Sequence, residues 1–183
     1  MQDIRQCHKC SLGRNVTNIV NNRTVGDDPQ IMIVGEAPGA EEDKIGLPFQ
    51  GKSGEILDKI IAKSNVSVFI TNCVRCRPPD NRDPSVEEIK ACRPYLDSDI
   101  VEMKPKAIVT TGRVPLRNLL PQATKQTMAY WINKAPINLH NVDTDVIPIY
   151  PVYHPAYILR NQSKMADYIE ETANLLQLIS AGH

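Results

Sequence analysis

The chain has 183 residues, 42% hydrophobic and 23% charged, a length and composition that suit one domain with a packed core. Its 21 basic and 21 acidic side chains cancel, which argues against a globally basic nucleic-acid binder and leaves room only for a local phosphate-binding patch. The longest apolar runs, such as residues 31–34, fall far short of the roughly 20 residues of a membrane span, and the opening hexapeptide lacks the apolar stretch of a signal peptide, so a cytoplasmic protein with no membrane partner is expected.

The first 28 residues are polar and contain Cys7-x2-Cys10. They read as an irregular arm held by something other than a core. Residues 30–34 form an apolar, β-rich run that stops at Gly35, the pattern of a buried strand. Residues 35–51 are rich in Gly and Pro and read as loop. Ile56, Leu57, Ile60 and Ile61 then recur with helical spacing, with Ser53 as the expected N-cap.

Residues 66–74 read as a second strand, with Asn72 near its end. A proline-rich loop follows to Pro84. Ser85 and Glu88 make a capping box for a helix that runs to about Met103. Residues 106–111 form a third strand, stopped by Gly112, and a short helix follows over 113–120. Residues 146–152 form a fourth strand with His154 directly after it, and residues 157–179 are mostly helical. Strands alternating with helices predict an α/β fold: a single domain over 1–183 with a central, mostly parallel four-stranded sheet and helices on both faces. In open α/β sheets ligands bind at the C-terminal strand edge, and Glu36, Asn72 and His154 each follow such an end.

In a reducing compartment, clustered cysteines signal metal or redox chemistry more often than disulfides. Cys7, Cys10, Cys76 and Cys92 offer four thiolates, a donor set that selects zinc or iron–sulfur, and their spacing does not separate the two. Cys73 is the odd one, and reads as a buried, hydrophobe-like thiol. Arg75, Arg77, Arg82 and Arg93 gather in one region and read equally as a phosphate patch or a solvated surface.

Four motifs occur in order: Gly35-Glu36-Ala37-Pro38-Gly39, Gly46-Leu47-Pro48-Phe49-Gln50-Gly51, Asn72-Cys73-Val74-Arg75-Cys76-Arg77-Pro78-Pro79 and His154-Pro155-Ala156-Tyr157. Together with the four cysteines they resemble the family-4, iron–sulfur uracil-DNA glycosylases, from about Cys7 to the C-terminus. The resemblance implies a [4Fe–4S] cluster on Cys7, Cys10, Cys76 and Cys92, with residues 1–28 as a cluster-binding arm. It implies a monofunctional enzyme that hydrolyses the N-glycosidic bond of uracil in single- or double-stranded DNA, acting as a monomer in the cytoplasm of a bacterial, archaeal or virus-infected cell.

The same resemblance assigns roles. Phe49 stacks on the base, and Gly35, Glu42 and Asn72 line its pocket. An Asn amide matches the N3–H donor and O4 acceptor of uracil together, and opposes cytosine. His154 meets uracil O2, where negative charge grows in the transition state. Glu36 orients water or stabilises the sugar cation, and Glu42 stands near the base C5 position. Arg82, Tyr157 and Arg160 flank the DNA. Gln50 and Leu47 depart from the family pattern of Val and Arg, which keeps open a glycosylase for a modified pyrimidine such as 5-hydroxymethyluracil. A non-catalytic protein that binds uracil or abasic DNA is the alternative from another class.

Overall fold

The fold was analysed in a computed structural model that describes residue 4 and residues 7–140 and 146–182. Much of the opening hexapeptide, and the stretch just before residue 146, therefore lie outside the described residues. The elements are β1 (Arg23–Val25), β2 (Ile31–Gly35), α1 (Ala40–Ile45), α2 (Lys52–Ser64), β3 (Val68–Asn72), α3 (Val86–Met103), β4 (Ala107–Thr111), α4 (Arg113–Leu119), α5 (Met128–Lys134), β5 (Ile137–His140), β6 (Val146–Val152), α6 (Pro155–Leu159) and α7 (Met165–Ser180).

The strands make one six-stranded sheet in the order β1-β3-β2-β4-β6-β5. The middle four, β3, β2, β4 and β6, run parallel and coincide with the strands expected from sequence. Two antiparallel edge strands complete the sheet, so the expected four-stranded sheet is corrected to a mixed six-stranded one. The edges escape sequence reading because they span only 3 and 4 residues and each pairs on one side alone.

Successive residues of the central strands point to opposite faces and are buried on both. Ile31, Ile33, Val68, Ile70 and Val109 enter one core, beneath α2, α6 and α7. Met32, Val34, Phe69 and Ile108 enter the other, against α3 and α4. Helices thus cover both faces, which is why these strands read as unbroken apolar runs. Each fully buried Ile contributes about 1.5–3 kcal/mol on transfer from water, and Ile31, Ile33, Ile70 and Ile108 are each at most 1% exposed.

Two local expectations change. Residues 35–51 are not all loop: α1 lies inside, between Gly39 and a left-handed Gly46 at φ 84°. Its acidic first turn and Lys44 near the end suit the helix dipole. Helix α2 starts at Lys52 with Gly51 as N-cap, two residues earlier than Ser53 would give, and Ser53 instead lines the cleft described below. The Ser85–Glu88 capping box of α3 is as expected, with the Glu88 N–H donating to Ser85 Oγ at 3.2 Å and the Ser85 N–H to Glu88 Oε2 at 2.7 Å.

Candidate active site

The parallel strands end together. Gly35 of β2 is in register with Asn72 of β3, and Thr111 of β4 with Val152 of β6. Beyond that edge opens a cleft of about 530 Å³ whose lining includes Glu36, Glu42, Phe49, Asn72 and His154. Gly35 packs against Asn72 and Phe49. A Cβ at Gly35 would stand 2.3 Å from Asn72 Oδ1 and 2.7 Å from the Phe49 ring, so only glycine lets the Asn amide and the ring come this close. Asn72 is 4% exposed and Phe49 6%. An amide with both a donor and an acceptor therefore sits, buried, beside an aromatic ring, a combination suited to one flat heterocycle.

The Phe49 loop is held in an unfavourable backbone state. Phe49 has φ +56°, the left-handed region that a bulky residue rarely enters, and such strain costs on the order of 1–3 kcal/mol. Several contacts impose it. Glu42 Oε1 accepts from the Gln50 N–H at 2.9 Å and the Gly51 N–H at 3.1 Å, while Oε2 accepts from the Gly39 N–H at 3.0 Å. Arg23 Nη2 reaches the Phe49 carbonyl at 3.4 Å and is itself paired with Asp58 at 2.7 Å. Gly54 of α2 lies beneath: a Cβ there would be 2.0 Å from the Phe49 oxygen. Glu42, expected at the base edge, thus has both oxygens engaged in fastening two loops, though it still lines the cleft.

His154 is the N-cap of α6, and its Nδ1 accepts from the Ala156 N–H at 3.0 Å. Burial holds the imidazole below its usual pKa, against the pull of the nearby Glu42 charge. A neutral ring whose Nδ1 accepts must carry its proton on Nε2, so His154 offers the cleft one N–H donor. Gly112, at φ +95°, lies under it; a Cβ there would come within 3.1 Å of the His154 Cβ. The His154 and Phe49 rings face each other at 6.4 Å between centroids.

Glu36 is unusual. Its carboxyl is pushed up to about 7, first by burial and then by the charge and hydrogen bonding of Asp83. Asp83 had no role in the sequence reading, because nothing in the chain pattern brings it to Glu36. The contact is made by the loop before α3, where Arg82 Nη1 and Nη2 donate to Glu88 Oε2 and Oε1 at 2.9 and 2.7 Å and Arg82 Nη1 also donates to the Asp83 carbonyl at 2.9 Å. Arg82 holds Glu88 below the usual carboxylate range.

Each of the four arginines read as a phosphate patch or a solvated surface is engaged by a partner. Arg75 is buried against Asp99, Arg77 bonds Asn81, Arg82 is paired with Glu88, and Arg93 bonds Asp97 and the Asn118 carbonyl. Arg82 is a loop anchor with 45% of its side chain exposed, rather than a free cation. Arg82 lines the cleft together with Tyr157 and Arg160, the latter two at the mouth formed by α6, with Tyr157 44% exposed and stacked on Tyr153 at 5.2 Å between centroids. Gln50 does not reach the cleft lining; its amide donates to the Pro48 carbonyl at 3.0 Å.

On the far side of the 72–83 segment, Cys7, Cys10, Cys76 and Cys92 line one apolar cavity with Arg75 and Tyr95. Ile4, Leu12, Val74 and Tyr95 pack around the thiols as a small separate core, so the arm has more apolar anchorage than its composition suggests. Further ties hold it: Thr17 and Asn18 N–H groups donate to the Asp43 carboxylate, and the Val20 N–H to the Arg75 carbonyl at 2.7 Å. Burial pushes the Cys76 thiol up to about 12 and Cys92 to about 11, so a metal must displace these protons on binding. Among the described residues no three His, Cys, Asp or Glu side chains close on a single-ion site. Gly13 passes close by, where a Cβ would be 2.5 Å from the Cys7 carbonyl and 4.0 Å from Cys76 Sγ. Cys73 points away, into the opposite core, fully buried with its thiol raised to about 12 by burial, as expected of a structural thiol.

Comparisons with known proteins agree with this geometry. The family model described as the uracil DNA glycosylase superfamily matches residues 23–177. A type-4 uracil-DNA glycosylase of Sulfurisphaera tokodaii is 38% identical over 164 residues, covering 87% of this chain and 74% of that protein. One from Saccharolobus solfataricus is 37% identical over 163 residues, covering 87% and 75%. One from Pyrobaculum aerophilum is 34% identical over 176 residues, covering 93% and 88%. The chain belongs to the uracil-DNA glycosylase superfamily, in its type-4 branch.

Proposed function

We propose that the cleft between Phe49 and His154 receives a uracil flipped out of DNA and that Glu36 and His154 carry its excision. The chain is a uracil-DNA glycosylase, an enzyme of base excision repair. A base must leave the stack to be reached; Phe49 supplies the face on which it rests and Asn72 reads its N3–H and O4. Cleavage of the C1′–N1 bond leaves both bonding electrons on uracil, with the negative charge concentrated at O2. The His154 Nε2–H meets that charge. Glu36, as a carboxylate, stabilises the cationic sugar and accepts a proton from the water that attacks C1′; the product is an abasic site. Glu42 acts through Phe49, as the fastener of its loop.

One observation carries this reading: the Ala156 N–H fixes the His154 tautomer, so the imidazole faces the cleft as a neutral donor. A preset donor that gains strength as charge develops is what lowers such a barrier. The hydroxymethyluracil alternative finds no support in Gln50, whose amide is turned onto its own loop.

The four thiols fit an iron–sulfur cluster. They share one cavity, a four-thiolate donor set that suits zinc or iron–sulfur, and the likeness to type-4 relatives favours the cluster. Bound there through Cys7, Cys10, Cys76 and Cys92, a [4Fe–4S] cluster would serve as a structural fastener between the arm and the 72–83 segment. Reduced thiols suit a cytoplasmic setting, and no described helix is long and apolar enough to cross a membrane. A monomer acting on single- or double-stranded DNA completes the proposal, with Tyr157 and Arg160 at the strand.

The test is direct. Purified protein is incubated with oligonucleotides, single- and double-stranded, carrying one uracil, hydroxymethyluracil, thymine or hypoxanthine, then treated with alkali. Cleavage at uracil alone is expected. Binding without base release refutes catalysis, and preferred release of hydroxymethyluracil refutes the substrate. Iron and sulfide in anaerobically purified protein test the cluster; stoichiometric zinc without iron refutes it.

A further inference from the structure

Arg75 is the most anomalous buried residue outside the cleft. Its side chain is 3% exposed. Nη2 pairs with Asp99, but Nε and Nη1 are buried with no partner among the described residues. Leaving buried donors unmatched is costly, and each such group calls for an unseen acceptor. Asp99 does not fill the need, since it already takes Thr71 Oγ1 at 3.1 Å and Asn22 Nδ2 at 3.2 Å besides Arg75. Donors are therefore in excess on the Arg75 side of this network.

Arg75 also borders the thiols. Arg75 precedes Cys76, its carbonyl is fixed by the Val20 N–H, and it lines the same cavity as the four cysteines. Sulfide and thiolate sulfurs accept hydrogen bonds, and a cluster with four thiolate ligands carries net negative charge. Hydrogen bonds to the sulfurs, local charge and exposure set the potential of such a centre.

We propose that Arg75 is a positioning residue for the cluster, its unmatched Nε–H and Nη1–H donating to cluster sulfur and its charge offsetting that of the iron–sulfur centre. The proposal rests on the four-cysteine cluster reading above. It assigns Arg75 to the metal centre and removes it from the DNA surface.

The test compares anaerobically purified holoprotein of wild type, Arg75→Met, Arg75→Lys and Asp99→Asn. Iron and sulfide per chain are measured first, then the midpoint potential by spectroelectrochemistry and the rate of cluster loss to a chelator. Removing the cation should move the Arg75→Met midpoint negative, because reduction adds charge that nothing then offsets, and should speed cluster loss several-fold. Arg75→Lys should fall between Met and wild type. Asp99→Asn should move the midpoint positive, and this variant decides the matter if Arg75→Met fails to fold. An unmoved midpoint in Asp99→Asn, or in a cluster-replete Arg75→Met, overturns the proposal and leaves a buried water as the partner of Arg75. Wild-type protein without iron or sulfide overturns the cluster reading itself, a result distinct from an unresponsive potential.

Discussion

Replacing Asp83 by Asn isolates what this loop does to Glu36. Both roles open to Glu36, water activation and cation stabilisation, need an ionised carboxylate. With the carboxyl at about 7, only about 1% is ionised at pH 5 and about 10% at pH 6. The single-turnover rate should therefore climb about tenfold per pH unit up to about 7 and then level. Burial lowers the His154 pKa below the ordinary histidine value, which moves its titration towards the acid end of this range. Of the other charged groups in the cleft, Glu42 has its oxygens on backbone N–H groups, Arg82 is on Glu88, and Arg160 is at the mouth. Asp83→Asn removes the Asp83 charge and puts an amide that can donate to the Glu36 carboxylate in place of its carboxyl partner, and leaves burial, the largest contribution. The acid limb should then shift to lower pH while remaining above the 4.5 of an ordinary glutamate. The assay is excision from a uracil oligonucleotide with saturating enzyme between about pH 5 and pH 9, with Glu36→Gln as the low, pH-independent control. A wild-type rate that is flat across this range, or an Asp83→Asn midpoint equal to wild type, refutes the coupling.

Other outcomes follow from the same geometry. His154→Ala should cut the single-turnover rate about 100- to 1000-fold while affinity for uracil DNA changes little; equal losses in both, measured by rapid quench and fluorescence anisotropy, would make His154 a binding residue. Glu42→Ala frees the N–H groups of Gly39, Gln50 and Gly51, so affinity and rate should fall together, as they should in Phe49→Ala; an unchanged Glu42→Ala enzyme refutes the loop-fastening role. Gly54→Ala should lower the melting temperature or release Phe49 from φ +56°, since the added Cβ meets the Phe49 carbonyl; a wild-type melting curve with wild-type activity would refute that. Asn72→Asp should weaken uracil excision and admit cytosine, and Asn72→Ala with full uracil activity would remove Asn72 from base recognition.

The central sheet was legible because strands buried on both faces leave unbroken apolar runs, as at Ile31–Gly35 and Val68–Asn72. The edges were not: Arg23–Val25 and Ile137–His140 carry polar residues and are defined by a neighbour rather than by their own pattern. Helix α1 was hidden by the glycines that cap it. In the cleft, Glu36, Phe49, Asn72 and His154 were found through motifs, and the fold does bring them together. Asp83 and Gly54 were missed because their roles lie in contacts with residues distant in the chain or across a tight backbone crossing, which no local pattern encodes. The arginine cluster left two readings open for the converse reason: charge is visible in sequence, and the partners that neutralise it are not.

The segment from Asn72 to Asp83 is a short span with both abutments in the cleft and its middle hooked, through Cys76, to the thiol cavity. The sheet holds Asn72 beside Glu36, through the register of Gly35 with Asn72 and the Val74 N–H on the Glu36 carbonyl at 3.2 Å, whereas Asp83 at the far end of the segment would be placed from behind by the proposed cluster at Cys76. Both main cores lie apart from Cys7, Cys10, Cys76 and Cys92. For a protein carrying the proposed cluster, exposure to air should therefore yield a population that is folded by circular dichroism yet inert. Specific activity would then track iron content rather than protein concentration, and preparations with equal purity on a gel would differ in turnover by their fraction of intact cluster.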